Sequence, residues 1–189
     1  MAVHYPEINQ ELIDACIRGD RLAQYRFYKQ YSRSMYNLCI RMVPDQTEAE
    51  DLLQEAFVRA FRELGSLRGW GAPGAWLRRI IINGCLNHLR KKRGLFIPLP
   101  EAGLADIPDE ESDVQVVSPE EINRAIRLLP EGARVVFILH LLEGYKHAEI
   151  GGMLGISEST SKSQYRRAIA LLKNQLTEKN YAGQAGAVS

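Results

Sequence analysis

Long apolar runs are missing from this 189-residue chain. Nothing approaches the ~20 consecutive apolar residues that a bilayer-spanning helix needs, and Met1 is followed almost at once by His4, Pro6 and Glu7 rather than by a charged and then an apolar segment. A soluble, unprocessed protein is expected. Cysteine is scarce: Cys16, Cys39 and Cys85 are odd in number, widely spaced and each set in an apolar helical pattern. That argues against a disulfide framework and a metal knuckle, and for a reducing, cytoplasmic setting. His4, His88, His140 and His147 show no metal spacing with cysteines or acids; His140 and His147, seven apart, would share a helical face, but Gly144 intervenes. Phosphate-binding glycine loops and nucleophile motifs are also lacking. No catalytic residue, metal or cofactor is therefore expected.

Acids are absent from one long stretch. Leu64 to Pro100 holds seven cations (Arg68, Arg78, Arg79, Arg90, Lys91, Lys92, Arg93) and two tryptophans, Trp70 and Trp76. Cations interleaved with aromatic rings suit unpaired nucleic acid, because rings stack on bases and cations follow phosphates. The formal net charge of +1 hides this sorting. Residues 1–95 carry 15 basic and 10 acidic groups, residues 96–119 none and six, and residues 120–189 nine and seven.

Apolar spacing of three and four predicts helices throughout. Ile8, Leu12, Ile13, Cys16 and Ile17 outline the first, and Gly19-Asp20 ends it and caps the next. From Leu22 to Met42 the stripe reads Leu22, Tyr25, Tyr28, Met35, Leu38, Cys39 and Met42, widened by Tyr31 and Tyr36. Pro44-Asp45 stops it, and Asp45 with Glu48 resembles a reciprocal capping box. Leu52, Leu53, Ala56, Phe57, Ala60, Phe61 and Leu64 continue into a third helix. After a loop from Gly65 to Gly74, Trp76, Leu77, Ile80, Ile81, Leu86 and Leu89 outline a fourth, whose terminal Arg90-Lys91-Lys92-Arg93 suits the helix dipole. Residues 95–118, with three prolines and six acids, read as a flexible linker.

Ser118-Pro119-Glu120-Glu121 then starts a second domain with a capping Ser, Pro at the first helical position and Glu at the third. Helices are expected over Pro119 to Leu129, Glu131 to Leu142, His147 to Leu154 and Ser157 to Thr177, with a disordered tail from about residue 179. The last two, joined by Gly155-Ile156-Ser157, have the spacing of a helix-turn-helix, whose second helix enters the major groove. The fold expected is all-α: two small helical domains, residues 1–94 and 119–178, on an acidic tether.

These residues resemble the extracytoplasmic-function sigma factors of bacterial RNA polymerase, over most of residues 10 to 176. Asp51-Leu52-Leu53-Gln54-Glu55-Ala56-Phe57 with Ala60-Phe61 is similar to the family's polymerase-docking helix. Trp76-Leu77-x-Arg79-Ile80-x-x-Asn83 with Leu89-Arg90 is similar to its promoter-melting helix. Leu129-Pro130, Arg134 to Phe137, Glu149-Ile150, Leu154 to Ser157, Thr160, Lys162-Ser163 and Arg167-Ala168 follow its upstream-promoter domain. Three places depart from the pattern. Ile82 stands where Arg is common, Gly151 and Gly152 replace better helix formers at about 1 kcal/mol each, and Ser161 replaces a buried Val or Ile and must find a backbone acceptor if buried. The second domain is therefore expected to be the less stable.

The resemblance implies an initiation factor rather than an enzyme. Asp51, Gln54, Glu55 and Arg59 would meet core polymerase. Arg68, Trp70, Trp76, Arg79, Asn83 and Arg90 would hold the opened minus-ten non-template strand, with the loop Leu67 to Ala75 forming a flipped-base pocket; Trp76 fits core packing equally well. Ser159, Thr160, Lys162, Ser163, Arg166 and Arg167 would read the minus-thirty-five duplex, while Tyr165 fits either packing or DNA contact. The acidic linker would thread a basic channel built for nucleic acid. Partners implied are core RNA polymerase, promoter DNA and an anti-sigma factor, commonly a membrane-anchored one, with the free chain a monomer. The competing readings are a stand-alone helix-turn-helix regulator, which would bind duplex by itself, and a metal-dependent nuclease, for which no carboxylate cluster is available.

Overall fold

The computed structural model describes residues 10–67, 72–93 and 118–185. They fall into two compact units, divided after Gly94, and every regular element among the described residues is helical. The expected all-α, two-domain architecture is what the chain adopts.

In the first unit α1 (Gln10–Ile17) turns back at Gly19 into α2 (Arg21–Met42). Asp20 caps α2 by accepting the N–H groups of Leu22 (2.8 Å) and Ala23 (3.0 Å), and these bonds hold its carboxyl below the usual carboxylate range. The buried face of α2 is Ala23, Phe27, Tyr31, Met35, Leu38, Cys39 and Met42. Its N-terminal half thus differs from the expected stripe: Leu22 and Tyr25 are 58% and 57% exposed. The partner helix makes the choice. Phe27 has its ring within 4.9 Å of Tyr31 and 5.8 Å of Phe61, and edge-on to Phe57 at 6.4 Å. This aromatic cluster is worth more buried than the alternative face. Tyr28 covers its rim at 4.8 Å from Phe57.

Helix α3 (Gln46–Glu63) packs on α2 and α4 through Ala49, Leu52, Leu53, Ala56, Phe57 and Ala60, the expected stripe. Its cap is half of the expected box. Asp45 accepts the Glu48 N–H at 2.9 Å, but the Glu48 carboxylate turns across to α4, where Lys92 Nζ donates at 2.6 Å and His88 Nε2 lies 3.1 Å away. A charged donor on the neighbouring helix outcompetes a backbone N–H. A 3-10 turn (Leu64–Leu67) leads on towards α4 (Pro73–Arg93). Leu77, Ile80, Ile81, Ile82, Cys85, Leu86 and Leu89 are all buried there. Ile82 is only 1% exposed, so the apolar residue standing where the family commonly has Arg is core. Contact with the Cys39 thiol, together with burial, pushes the Cys85 thiol well up and keeps it protonated.

In the second unit α5 (Pro119–Leu128) begins with the full reciprocal box: Ser118 Oγ accepts the Glu121 N–H at 3.2 Å and Glu121 accepts the Ser118 N–H at 3.1 Å. Leu129-Pro130 breaks the helix, and buried Arg134 donates through Nη1 to the Leu129 carbonyl at 2.8 Å, satisfying the end of α5. Helix α6 (Glu131–Phe137) does not continue regularly to Leu142 as expected. It widens into a π turn (Ile138–Leu142), closed by the Glu143 N–H on the Ile138 carbonyl at 3.0 Å. Helices α7 (His147–Leu154) and α8 (Glu158–Ala185) form the helix-turn-helix. Helix α8 runs past the expected end, because Glu178, Lys179, Ala182 and Gln184 favour helix despite Gly183; residues 186–189 lie outside the described residues.

The turn between α7 and α8 corrects another expectation. Gly155 adopts a left-handed φ of +69°, and the Ile156 N–H bonds back to the Gly151 carbonyl at 3.0 Å. A Cβ on Gly151 would lie 2.8 Å from the Ile156 carbonyl oxygen, whereas one on Gly152 would meet nothing within 4 Å. Gly151 is therefore required by close approach rather than being a weakness. Gly151→Ala is expected to destabilise the second unit by about 1–3 kcal/mol, as overpacking does, while Gly152→Ala stabilises it by up to about 1 kcal/mol. Hydrogen-exchange protection of α7 and α8 amides in the full chain measures both.

Candidate nucleic-acid and polymerase interfaces

On α4 the face opposite the core carries Arg79, Asn83, Asn87, Arg90 and Lys91, all exposed. Their spacing of three to four residues makes one continuous stripe of donors. Arg90 Nη1 donates to Asn87 Oδ1 at 3.1 Å, an exposed amide that spacing alone did not single out. Trp76 lies at the edge of this face, half-buried, so its body packs while part of it stays open to solvent. Arg68 and Trp70, with the middle of the expected pocket loop, lie outside the described residues.

Helix α3 exposes Asp51, Gln54, Glu55 and Arg59, the four residues proposed from sequence to meet a protein partner. Arg59 Nε donates to Glu63 at 2.8 Å within the same face. Val58 lies among them and is 50% exposed, an apolar contact that a charge-based reading overlooked. The two faces are joined at one point. Glu48, at the start of α3, grips Lys92 near the end of α4, and the Lys92 hydrogen bond lowers the Glu48 carboxyl below its ordinary value of 4.5. Its His88 neighbour is close enough for a charge contact but off the line of a hydrogen bond.

On α8 the outward residues are Ser159, Lys162 and Arg166, exposed, with Thr160, Ser163 and Arg167 half-buried beside them. Their hydroxyls are not all free to reach out. Ser157 Oγ lies 2.8 Å from both Ser159 Oγ and Thr160 Oγ1 and accepts the Thr160 N–H at 3.0 Å, capping the helix. Lys162 is paired with Glu158 one turn back at 2.6 Å. The pair is about half exposed, so solvent screens it and it holds the lysine only weakly. Tyr165 faces inward, stacked on Phe137 at 6.2 Å and edge-on to His140 at 4.7 Å, which makes it packing.

The same cluster holds what spacing did not show. His140 and His147 are not separated by Gly144; the turn brings their rings into a stack with centroids 4.0 Å apart. Buried Ser161 finds its partner there rather than in the backbone, its Oγ lying 2.9 Å from His147 Nδ1. No group of three or more His, Cys, Asp or Glu among the described residues is placed to hold a metal. None of their helices is long and apolar enough to cross a membrane.

Comparison with known proteins follows the same division of the chain. Residues 27–94 match the Sigma-70 region 2 family and residues 120–172 match Sigma-70, region 4. The ECF RNA polymerase sigma factor SigM of Mycobacterium tuberculosis (strain ATCC 35801 / TMC 107 / Erdman) is 34% identical over 169 residues, covering 89% of this chain and 84% of that protein. The RNA polymerase sigma-H factor of Pseudomonas aeruginosa is 33% identical over 175 residues, covering 86% and 90%. Among solved structures, the sigma factor RpoE in complex with the anti-sigma factor NepR from Bartonella quintana is similar in fold, with a TM-score of 0.51 and 21% identity over 81% of this chain and 96% of that one.

The clamp between α3 and α4 has a pH signature. A carboxyl whose folded value is lowered contributes stability that is complete above its unfolded value and is lost as pH falls through the folded one. Glu48→Gln is expected to cost the first unit about 0.5–1 kcal/mol at pH 7, the scale of a partly exposed pair. Below pH 4.5 that difference from the natural chain shrinks and vanishes. Urea unfolding followed by Trp76 and Trp70 fluorescence between pH 7 and pH 3 reads it.

Proposed function

Because this chain belongs to the extracytoplasmic-function sigma factors of the sigma-70 family, which bind core RNA polymerase and direct it to promoters, we propose that its two helical units divide promoter recognition between opened and duplex DNA. In the first unit the α3 face of Asp51, Gln54, Glu55 and Arg59, with Val58 among them, docks on polymerase. The α4 stripe of Arg79, Asn83 and Arg90, together with Arg68, Trp70 and Trp76, holds the separated minus-ten strand. In the second unit α8 lies in the major groove at the minus-thirty-five element, read by Lys162, Ser163 and Arg166, with Ser159, Thr160 and Arg167 on the phosphates.

One observation carries this reading most: the exposed stripe of α4 contains cations and amides and no acid, while the exposed face of α3 presents Asp51 and Glu55 beside Gln54 and Arg59. Phosphate and protein partner are thus met by different faces of adjacent helices. Nucleotidyl transfer then belongs to the polymerase, and the factor works where polymerase does, in the cytoplasm. Residues 1–94, 95–118 and 119–178 serve as the melting domain, the tether and the upstream-reading domain. The relative similar in fold is a sigma factor held by an anti-sigma factor; we assign this chain the same class of partner, covering the surfaces that polymerase uses.

Run-off transcription with purified core polymerase and a genomic DNA library tests the reading. Promoter output that depends on the added chain is expected, and a chain that binds duplex tightly alone yet yields no output with core refutes it in favour of a stand-alone regulator. On a recovered promoter, Arg79→Ala with Asn83→Ala should lower open-complex formation about tenfold or more, at about 1–3 kcal/mol per lost base contact, with affinity for core within about twofold. Arg166→Ala should cost about 1–3 kcal/mol and relax specificity at one base position, whereas Arg167→Ala should weaken binding uniformly across sequences and reduce the salt slope by about one.

A further inference from the structure

The two helices of the helix-turn-helix meet through apolar side chains at Ile150, Leu154 and Ala168, but not at the first turn of α7. There His147 Nδ1 lies 2.9 Å from Ser161 Oγ, and Ser161 has no solvent exposure. The His147 ring stacks on His140 of the π turn, planes 25° apart and centroids 4.0 Å apart. Tyr165 of α8 closes the group, 4.7 Å from His140 and 5.7 Å from His147. His140 Nδ1 is 2.9 Å from the Tyr145 carbonyl. A carbonyl only accepts, so that nitrogen carries the ring proton and the ring is fixed in orientation. Three elements therefore join at two imidazoles, a hydroxyl and a phenol ring.

The charged groups facing this cluster are few. From α8 come Glu158 and Lys162, paired to each other at 2.6 Å. On α7 Glu149 is taken up by the Lys146 N–H at 2.7 Å. Among the described residues no carboxylate bridges the two rings, so a second proton on the pair would place two like charges at stacking distance.

We propose that His140 and His147 are positioning residues for the recognition helix α8, setting its roll through Ser161 and Tyr165, and that acid releases this hold and weakens upstream-element reading. The proposal rests on the assignment of α8 to duplex DNA made above. Its direction follows from linkage. Burial, the neighbouring His140 and the Lys162 charge hold the His147 imidazole below its ordinary value of 6.5, against a smaller opposing effect of Glu158. The folded chain thus binds fewer protons than the unfolded one. The contribution is complete above pH 6.5 and is lost as pH falls through the folded value.

The test uses holoenzyme assembled from core polymerase and the full chain on a recovered promoter. Output is divided by that of the same promoter with a scrambled upstream element, from pH 8 to pH 5.5, so that the polymerase's own pH response cancels. The ratio is expected to fall as pH drops below 6.5, by no more than about tenfold per pH unit, the limit for one linked proton. His140→Asn with His147→Asn keeps an amide near each Nδ1 position but cannot titrate, and its ratio should not change with pH. A natural-chain ratio that stays flat, or an equal fall in the double variant, overturns the proposal. A ratio of one already at pH 8 instead refutes the duplex-reading assignment. Proton NMR of the natural chain then decides the positioning claim without any variant. The His147 ring Cε1 proton should titrate below its ordinary 6.5 with Tyr165 ring signals moving alongside, and a His147 titration that leaves the Tyr165 signals unmoved overturns it.

Discussion

A helix that keeps a row of cations in solvent on one side is held chiefly by apolar burial on the other. Helices α4 and α8 both live under that constraint. On α4, Leu77, Ile81, Cys85 and Leu89 are sealed against α2 and α3, so Arg79, Asn83 and Arg90 have nowhere to face but solvent. On α8, Ser161, Gln164, Ala168 and Leu172 face the core, which turns Lys162 and Arg166 outward. The 3.6-residue period therefore joins stability to function. A slip of one residue in either packing would rotate the donor stripe by about 100°.

Within this frame, polar groups do the joining where helices end. Asp20 and Ser118 cap their helices, Arg134 satisfies the last carbonyl of α5, and Glu48 leaves its own cap to grip Lys92 on the next helix. The Glu48 contact joins α3 to the end of α4 and draws one cation towards α3, while Arg79 and Asn83 stay exposed. In the helix-turn-helix the same principle takes a titratable form, with His147 and Ser161 standing where an apolar pair would serve stability alone. Polar joints of this kind specify geometry at some cost in tolerance to pH.

Uneven sorting of charge along the chain reconciles a nearly neutral total with membership of a DNA-binding family. Six cations lie on α4 with no acid among them, and six acids lie in residues 96–119 with no cation. The helix-turn-helix is built around a tight turn in which backbone approaches backbone at Gly151, so its shape is set by a steric limit as much as by its core.

Much of this was legible from residue order, because helix periodicity, capping pairs and prolines act over a few residues. The all-α class, the two units, the α3 and α4 core stripes and the Ser118 box all follow from such local signals, and so does the exposure of Asp51, Arg79 and Lys162. What needed the folded chain was every choice between competing partners. Tyr25 and Phe27 are equally apolar in the sequence, and only the rings of Phe57 and Phe61 decide that Phe27 goes inside. Glu48 has two available donors, Gly151 reads as a helix weakness until Ile156 folds back over it, and His140 and His147 look divided by Gly144 until a π turn stacks them. Local order states what each side chain is able to do. Close packing in three dimensions selects which of those options it takes, because burial and hydrogen-bond competition depend on neighbours distant in the chain.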